Sequence, residues 1–156
     1  MIRLWDAKNL KEVRALQGHQ GWAVAGAFSR DGSRLLTGTW SSRGRDVPAV
    51  PGPSELILWE VGTGKPLRTI DVTPRNVHGL AISPDGRRAL SGGNAGLVEL
   101  WDLETGKQVI AFKGHVGRVF DVAFLPDGRT ALSVGVDDCT IRLWRLPDPP
   151  PAKEKP

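Results

Sequence analysis

The segment Val98-Glu99-Leu100-Trp101-Asp102 decides the fold of this chain, because close copies of it recur three more times. Each copy is a strand-length run in which apolar residues alternate with other residues before a tryptophan. The copies are Ile2-Arg3-Leu4-Trp5-Asp6, Leu56-Ile57-Leu58-Trp59-Glu60 and Ile141-Arg142-Leu143-Trp144-Arg145. The segment is therefore one strand of a repeated unit, and the period of that unit is the next question.

The tryptophans set the period, since Trp59 and Trp101 are 42 residues apart and Trp101 and Trp144 are 43 apart. A longer separation of 54 residues between Trp5 and Trp59 indicates an insertion, which we place at residues 41–53. Asp-Gly pairs keep the same register at Asp31-Gly32, Asp85-Gly86 and Asp127-Gly128. Such a pair between two alternating runs predicts a β-hairpin, because glycine readily adopts a positive φ.

Two further landmarks share this register, a Gly-His pair before a hairpin and a Thr-Gly-Lys turn after a tryptophan. They occur at Gly18-His19, Gly114-His115, Thr63-Gly64-Lys65 and Thr105-Gly106-Lys107. With the Asp-Gly hairpins and the Trp-Asp ending, they resemble the repeats of the WD40 family, and their regularity is similar to that of bacterial members. The resemblance runs from about Ile2 to Leu146 and implies an all-β propeller of four-stranded blades.

Strands a to d of a blade run from the central channel outward, and the chain is predicted to hold two full and two partial blades. The first has only c and d strands, near Ile2–Trp5 and Glu12–Leu16, and the last has no d strand. Because propellers close with about 4–8 blades, we interpret residues 1–146 as the C-terminal part of a propeller, followed by a disordered Pro-rich tail, 147–156. Either upstream repeats are missing, or a homodimer closes a six-bladed ring, with Glu12–Leu16 completing the other copy's last blade.

The resemblance also implies a buried hydrogen-bonded tetrad of His, Ser or Thr, Asp and Trp in each blade. Its members are His115, Ser133, Asp137 or Asp138, and Trp144 in the last repeat; His19, Thr37 and Trp59 in the first complete repeat; and Ser91 and Trp101 in the middle repeat. The insertion has removed the Asp of the first complete repeat, and Ala95 stands at that position in the middle one. We therefore expect the middle blade to depend mainly on its apolar core. Ser, His and Asp also form hydrolase triads, but no Gly-x-Ser-x-Gly elbow accompanies them, which favours the structural role.

Side chains near the starts of the inner strands form the predicted partner-binding surface. They are Trp22, His78, Arg118 and Phe120. Trp and Arg are the types that dominate interface hot spots, although packing against a neighbouring blade is the alternative. The insertion adds Arg43 and Arg45, which the family pattern places on the same face. For the insertion, a tolerated surface loop is the alternative.

The formal net charge of +4 permits an anionic partner without demanding one. Basic residues follow the turns of the opposite face at Arg34, Lys65, Arg87, Arg88, Lys107 and Arg129. They lack the aromatic interleaving of a nucleic-acid platform, so a solvated rim is favoured over a nucleic-acid or phosphate-binding surface.

The cysteine content and the motifs missing from the sequence limit the classes of function that we expect. The single Cys139 fits a reducing compartment and predicts a cytoplasmic location. No metal-ligand spacing or Gly-rich phosphate loop is present, so no metal or cofactor is expected, and no apolar stretch is long enough for a membrane helix. The resemblance implies a non-catalytic scaffold for protein–protein interaction. A docking or sensor part of a larger signalling protein is the alternative.

Overall fold

A computed structural model describes residues 1–40, 54–72 and 76–149, and over these residues the chain forms thirteen β-strands. The strands are β1 (Ile2–Trp5), β2 (Glu12–Leu16), β3 (Trp22–Phe28), β4 (Arg34–Trp40), β5 (Glu55–Glu60), β6 (Pro66–Asp71), β7 (Val77–Ile82), β8 (Arg88–Gly93), β9 (Leu97–Asp102), β10 (Gln108–Lys113), β11 (Val119–Phe124), β12 (Thr130–Gly135) and β13 (Ile141–Arg145).

The strands form four antiparallel sheets, each with its strands in chain order. Strands β3 to β6 and β7 to β10 make two four-stranded sheets, β11 to β13 make a three-stranded sheet, and β1 pairs with β2 alone. This arrangement confirms the predicted incomplete propeller of two full and two partial blades. Strand β7 lies between β3 and β11, so these three strands line the inner edge of the blades.

A bulge near the start of each inner strand repeats from blade to blade, between Ala23 and Ala25 in β3 and at the equivalent places in β7 and β11. In β7 the bulge ends at Gly79, where the chain passes very close to β11. A Cβ at Gly79 would lie 2.6 Å from the Cα of Asp121. Only glycine therefore allows the two inner strands this approach.

Apolar clusters join neighbouring blades. One, which includes Leu36, Leu56 and Trp101, fills the space between the two four-stranded sheets. A second joins β7–β10 to the last sheet. A third binds the β1–β2 pair to the following blade, where Leu16 packs with the fully buried Trp59. Each fully buried large side chain stabilises such a cluster by about 1.5–3 kcal/mol.

Arginines in the outer strands fasten one blade to the next. The guanidinium of Arg14 in β2 donates to the carbonyls of Gly62 and Thr63 at 2.7 and 3.0 Å. Arg68 in β6 makes the same contact with residues 104–105 of the following blade. The Thr-Gly-Lys turns thus connect the strands of a hairpin, and the backbone carbonyls at these turns accept hydrogen bonds from the arginines of the neighbouring blade.

From the sequence, Arg88 is placed among the exposed basic residues of the turns, and this prediction is wrong. Its side chain is buried, and its guanidinium donates to the carbonyls of Gly128 and Pro147, each at 2.7 Å. Arg88 opens β8, one residue after the hairpin, so its side chain points into the gap between blades. It joins two blades and is not available to a partner.

Candidate functional site

The last blade brings His115, Ser133, Asp138 and Trp144 into one hydrogen-bonded chain. The Trp144 Nε1–H donates to the Ser133 hydroxyl at 2.8 Å, and His115 Nε2 lies 2.7 Å from the same oxygen. His115 Nδ1 donates to Asp138 Oδ2 at 2.8 Å. Ser133 and His115 are buried, so this network satisfies polar groups inside the blade.

Asp137 and Asp138 are neighbours in sequence with different partners. Burial opposes ionisation of Asp138, but hydrogen bonds from His115, Val116 N–H and Thr140 outweigh it and lower its pKa. Asp137 instead accepts two hydrogen bonds from the Arg118 guanidinium and one from its backbone N–H, which lowers the pKa of Asp137 to about 2. Of the two candidates from the sequence, the structure joins only Asp138 to His115.

In the first complete blade, His19, Thr37 and Trp59 form the equivalent chain. The Trp59 Nε1–H donates to Thr37 Oγ1 at 2.7 Å, and His19 Nε2 lies 2.6 Å from that oxygen. No Asp of the described residues contacts His19, and Glu55 takes that place, with Oε1 3.0 Å from His19 Nδ1. Burial lowers the pKa of His19, and the hydrogen bond and charge of Glu55 oppose this shift.

Glu55 was missed because the acid lies beyond the insertion, on the first residue of β5. Its carboxylate also accepts the backbone N–H of Gln20 at 3.1 Å, so it caps the loop that enters β3. A signal was present in the sequence. Glu55 is four residues before Trp59, and a charged residue inside a buried strand requires a partner.

The middle blade keeps the pair of Ser91 and Trp101, joined by a 2.9 Å hydrogen bond from the indole N–H. Glu99 stands across the ladder from Ser91 and is buried, with one carboxylate oxygen 3.4 Å from the Ser91 hydroxyl and the other bound by Gln108 at 2.9 Å. This blade therefore has a buried polar network of its own beside the apolar core that the sequence predicted.

We call the end of the sheets where β3, β7 and β11 begin the upper face. Trp22 lies there, and its ring packs edge-to-face on Trp40 with centroids 6.0 Å apart. The Trp40 ring is in turn 6.4 Å from His78 on the next blade. Trp22, Trp40 and His78 form an aromatic row across the boundary between two blades. Trp40 was not among the predicted binding residues, although it ends β4 just before the insertion.

Phe120 on β11 and Arg118, the residue before β11, also lie at the upper face. The Arg118 side chain is half exposed and held in a bidentate pair by Asp137, and Phe120 is 62 % exposed. Two further exposed apolar side chains, Val116 and Val136, belong to the same end of this blade. Arg43 and Arg45 of the insertion lie outside the described residues.

The opposite end, the lower face, carries the Asp-Gly hairpins. A groove of about 460 Å³ lies between the first two of them and is lined by Arg30, Arg34 and Arg87 together with Asp31 and Asp85. Hydroxyls of Ser29 and other residues lower the pKa of Asp31 to about 2. In Asp85, burial works against a similar set of bonds, which still lower its pKa.

The structure describes residues 1–40, 54–72 and 76–149. Within them, no three His, Cys, Asp or Glu side chains are grouped in a way that could hold a metal ion. The same residues include no helix of the length and hydropathy that crossing a membrane demands.

Repeated four-stranded antiparallel sheets whose first strands, β3, β7 and β11, lie side by side are typical of β-propeller repeat proteins. The sequence profile described as "WD domain, G-beta repeat" matches residues 10–45, 64–102 and 106–145. The chain therefore belongs to the WD40 repeat family, whose domains are typically non-catalytic scaffolds that bind other proteins. No curated protein sequence gives a significant match.

Proposed function

We propose that this chain is a non-catalytic scaffold that binds other proteins through its upper face. The observation that carries the proposal is that exposed aromatic side chains lie there beside the exposed and oriented guanidinium of Arg118. Trp22 is 42 % exposed and Phe120 is 62 % exposed, with further members at Val24, Val116 and Val136. The hairpins of the lower face are instead built mainly from Ser, Pro, Asp, Gly and Arg. Large exposed apolar groups in one region are typical of interaction surfaces.

The aromatic row suits an interface because its members are already ordered. Edge-to-face contact with Trp40 fixes the Trp22 ring, and Trp40 is itself supported by His78. His78 Nε2 lies 2.5 Å from Asn94 Oδ1, which fixes the last ring. A partner would therefore bind side chains that lose little conformational entropy on association.

Arg118 can add a directed polar contact at this face. Asp137 holds its guanidinium in one orientation through two side-chain hydrogen bonds, and half of the side chain stays exposed. The insertion supplies Arg43 and Arg45, which follow Trp40 closely in the sequence. We include both arginines in the proposed surface, since they offer bidentate donors to carboxylates of a partner.

The His-centred chains support this surface in our proposal and do not catalyse a reaction. The Ser133 hydroxyl is fully buried and already bound by Trp144 and His115, so a substrate has no access to it. A satisfied buried network stiffens the blade that carries Phe120 and Arg118. We also place the protein in the cytoplasm, where the free thiol of exposed Cys139 would remain reduced.

The test compares proteins captured by the wild-type chain, by Trp22→Ala/Phe120→Ala, and by a control with two exposed outer-strand residues changed, Leu67→Ala/Val109→Ala. We expect the upper-face variant to lose partners that the control retains, with both variants folded by circular dichroism. The proposal is wrong if the upper-face variant retains every partner, or if both variants lose the same ones.

A second candidate is binding of an anionic ligand in the lower-face groove. It is favoured by the guanidinium groups of Arg30, Arg34 and Arg87, which line one groove and form no ion pair with another described residue. Titration with inorganic phosphate and with a single-stranded oligonucleotide tests it. Affinity that falls steeply with salt and is lost in Arg34→Ala/Arg87→Ala would support this candidate.

A further inference from the structure

Strands β1 and β13 have the same sequence, Ile-Arg-Leu-Trp, at residues 2–5 and 141–144. Both are copies of the repeat strand that ends in Trp, which is the third strand of the two four-stranded sheets as β5 and β9. Their surroundings differ. Strand β1 pairs with β2, whereas no described strand pairs with the outer edge of β13.

The contacts of β1 show what such a strand binds. Its ladder with β2 sets Ile2 opposite Leu16 and Leu4 opposite Arg14. The side chains of Ile2 and Leu4 also pack on the cluster around Trp59 in the blade β3–β6. Strand β1 is thus held by two things, the backbone of β2 and the apolar side of the following blade.

The matching side chains of β13 are exposed. Ile141 is 69 % exposed and Leu143 is 67 % exposed, because no later blade of the described chain covers them. An unpaired strand edge next to exposed aliphatic side chains is a receptor for another strand. In this chain the unpaired strand is β13, and its sequence is that of β1, which β2 and the blade β3–β6 already bind.

We propose that β13 binds β2 and the blade β3–β6 of a second copy of this chain. The ladder would reproduce that of β1, with Ile141 opposite Leu16 and Leu143 opposite Arg14 of the second copy. Ile141 and Leu143 would then be covered by the Trp59 cluster of the second copy, as Ile2 and Leu4 are covered within one chain. The inference is independent of the function proposed above.

Charge complementarity supports the same register. Arg3 Nη1 forms an ion pair with Glu12 Oε2 at 3.2 Å within one chain. Arg142 has the place of Arg3 in the repeated sequence. Its Nη2 lies 3.8 Å from Asp138 Oδ2, and more than a third of its side chain stays exposed. Glu12 of the second copy would therefore meet Arg142 across the new ladder.

Replacing β1 by β13 of another copy converts the two-stranded sheet β1–β2 into a four-stranded sheet of β11, β12, β13 and β2. A pair of strands is marginal by itself, and Trp5 in β1 is 56 % exposed. The equivalent Trp144 in β13 packs on Phe112 of the preceding blade, with centroids 5.4 Å apart. Strand β2 thus gains a better supported neighbour, and β1 is displaced.

The test measures mass by size-exclusion chromatography with light scattering over a range of concentrations. We expect wild-type dimers that dissociate on dilution, because intramolecular β1 competes with β13 for the same β2. Ile141→Glu/Leu143→Glu should weaken dimerisation about a hundredfold, since both side chains would be buried only in the dimer. Ile2→Glu/Leu4→Glu should have the opposite effect and strengthen it, because these changes weaken only the competing contact.

A disulfide crosslinking experiment tests the proposed pairing of β13 with β2 even if the glutamate variants lower the stability of the fold. Ala15→Cys and Arg142→Cys, made in separate chains with Cys139→Ser, should form a mixed disulfide when combined, because the register sets these two positions opposite each other. Val109→Cys on β10 is the control for Arg142→Cys and should not crosslink. A monomeric wild-type chain at every concentration overturns the proposal, as does equal weakening of the dimer by the β1 and β13 variants.

Discussion

His19 Nδ1 lies 3.0 Å from Glu55 Oε1, and both side chains are buried although 36 residues separate them in the chain. Glu55 follows the insertion at 41–53, so this contact closes the blade across it. The same carboxylate accepts the Gln20 N–H, which ties the entry of β3 to the start of β5. The insertion therefore leaves the hydrogen-bonded chain of this blade complete.

Replacing Glu55 should destabilise the protein. Glu55→Ala leaves His19 Nδ1 and the Gln20 N–H without their acceptor, and each buried unsatisfied group costs about 1–3 kcal/mol. We expect the free energy of unfolding in urea to fall by about 2–4 kcal/mol. Glu12→Ala is the control, because its ion pair with Arg3 is partly exposed and should contribute about 0–1 kcal/mol. Equal losses for both variants would contradict the role assigned to Glu55.

The stability should also depend on pH through His19. Because burial holds its pKa in the folded state below the ordinary value of 6.5, the unfolded chain binds the proton more readily. The stabilisation is therefore complete above pH 6.5 and is lost as the pH falls toward the lower, folded pKa. Urea unfolding between pH 7.5 and 5 should show a slope of up to about 1.4 kcal/mol per pH unit. His19→Gln should flatten that slope, and an unchanged slope would show that His19 is not responsible.

Asp137 and Asp138 should differ in their importance for stability. Asp138→Ala removes the acceptor of the buried His115 ring and of the Val116 N–H, which should cost about 3 kcal/mol. Asp137→Ala removes an exposed pair with Arg118 and should leave the free energy of unfolding close to that of wild type. Thermal or urea unfolding of the two variants measures the difference. Reversed values would mean that Asp137 supports the blade.

Arg87 and Arg88 should also differ in how much they contribute to the free energy of unfolding. Arg88→Ala leaves the carbonyls of Gly128 and Pro147 without donors and opens a gap between blades, so it should cost about 2 kcal/mol or more. Arg87→Ala changes a side chain that lines the lower-face groove, and should stay within about 0.5 kcal/mol of wild type. Denaturation curves for the two variants are the measurement, and a neutral Arg88→Ala would exclude the inter-blade role.

Much of the fold could be predicted from local sequence. The Trp period, the Asp-Gly hairpins and the alternating runs are properties of single strands and turns, so they indicated the blades and the three strands that the described residues contribute to the last sheet. Side-chain partners were harder to predict. The insertion hid Glu55, and two consecutive Asp residues left the partner of His115 open, because hydrogen bonding depends on distances that sequence spacing gives only approximately.

The sequence by itself determined the WD40 repeat, the strand order and the residue types at the centre of each blade, since these follow from periodicity and turn chemistry. Only the tertiary structure decided which residues meet between blades. It buried Arg88, set Trp40 between Trp22 and His78, and left Ile141 and Leu143 exposed where Ile2 and Leu4 are covered. Identical local sequences differ in this way because burial is a property of the neighbouring sheet, which the strand does not encode.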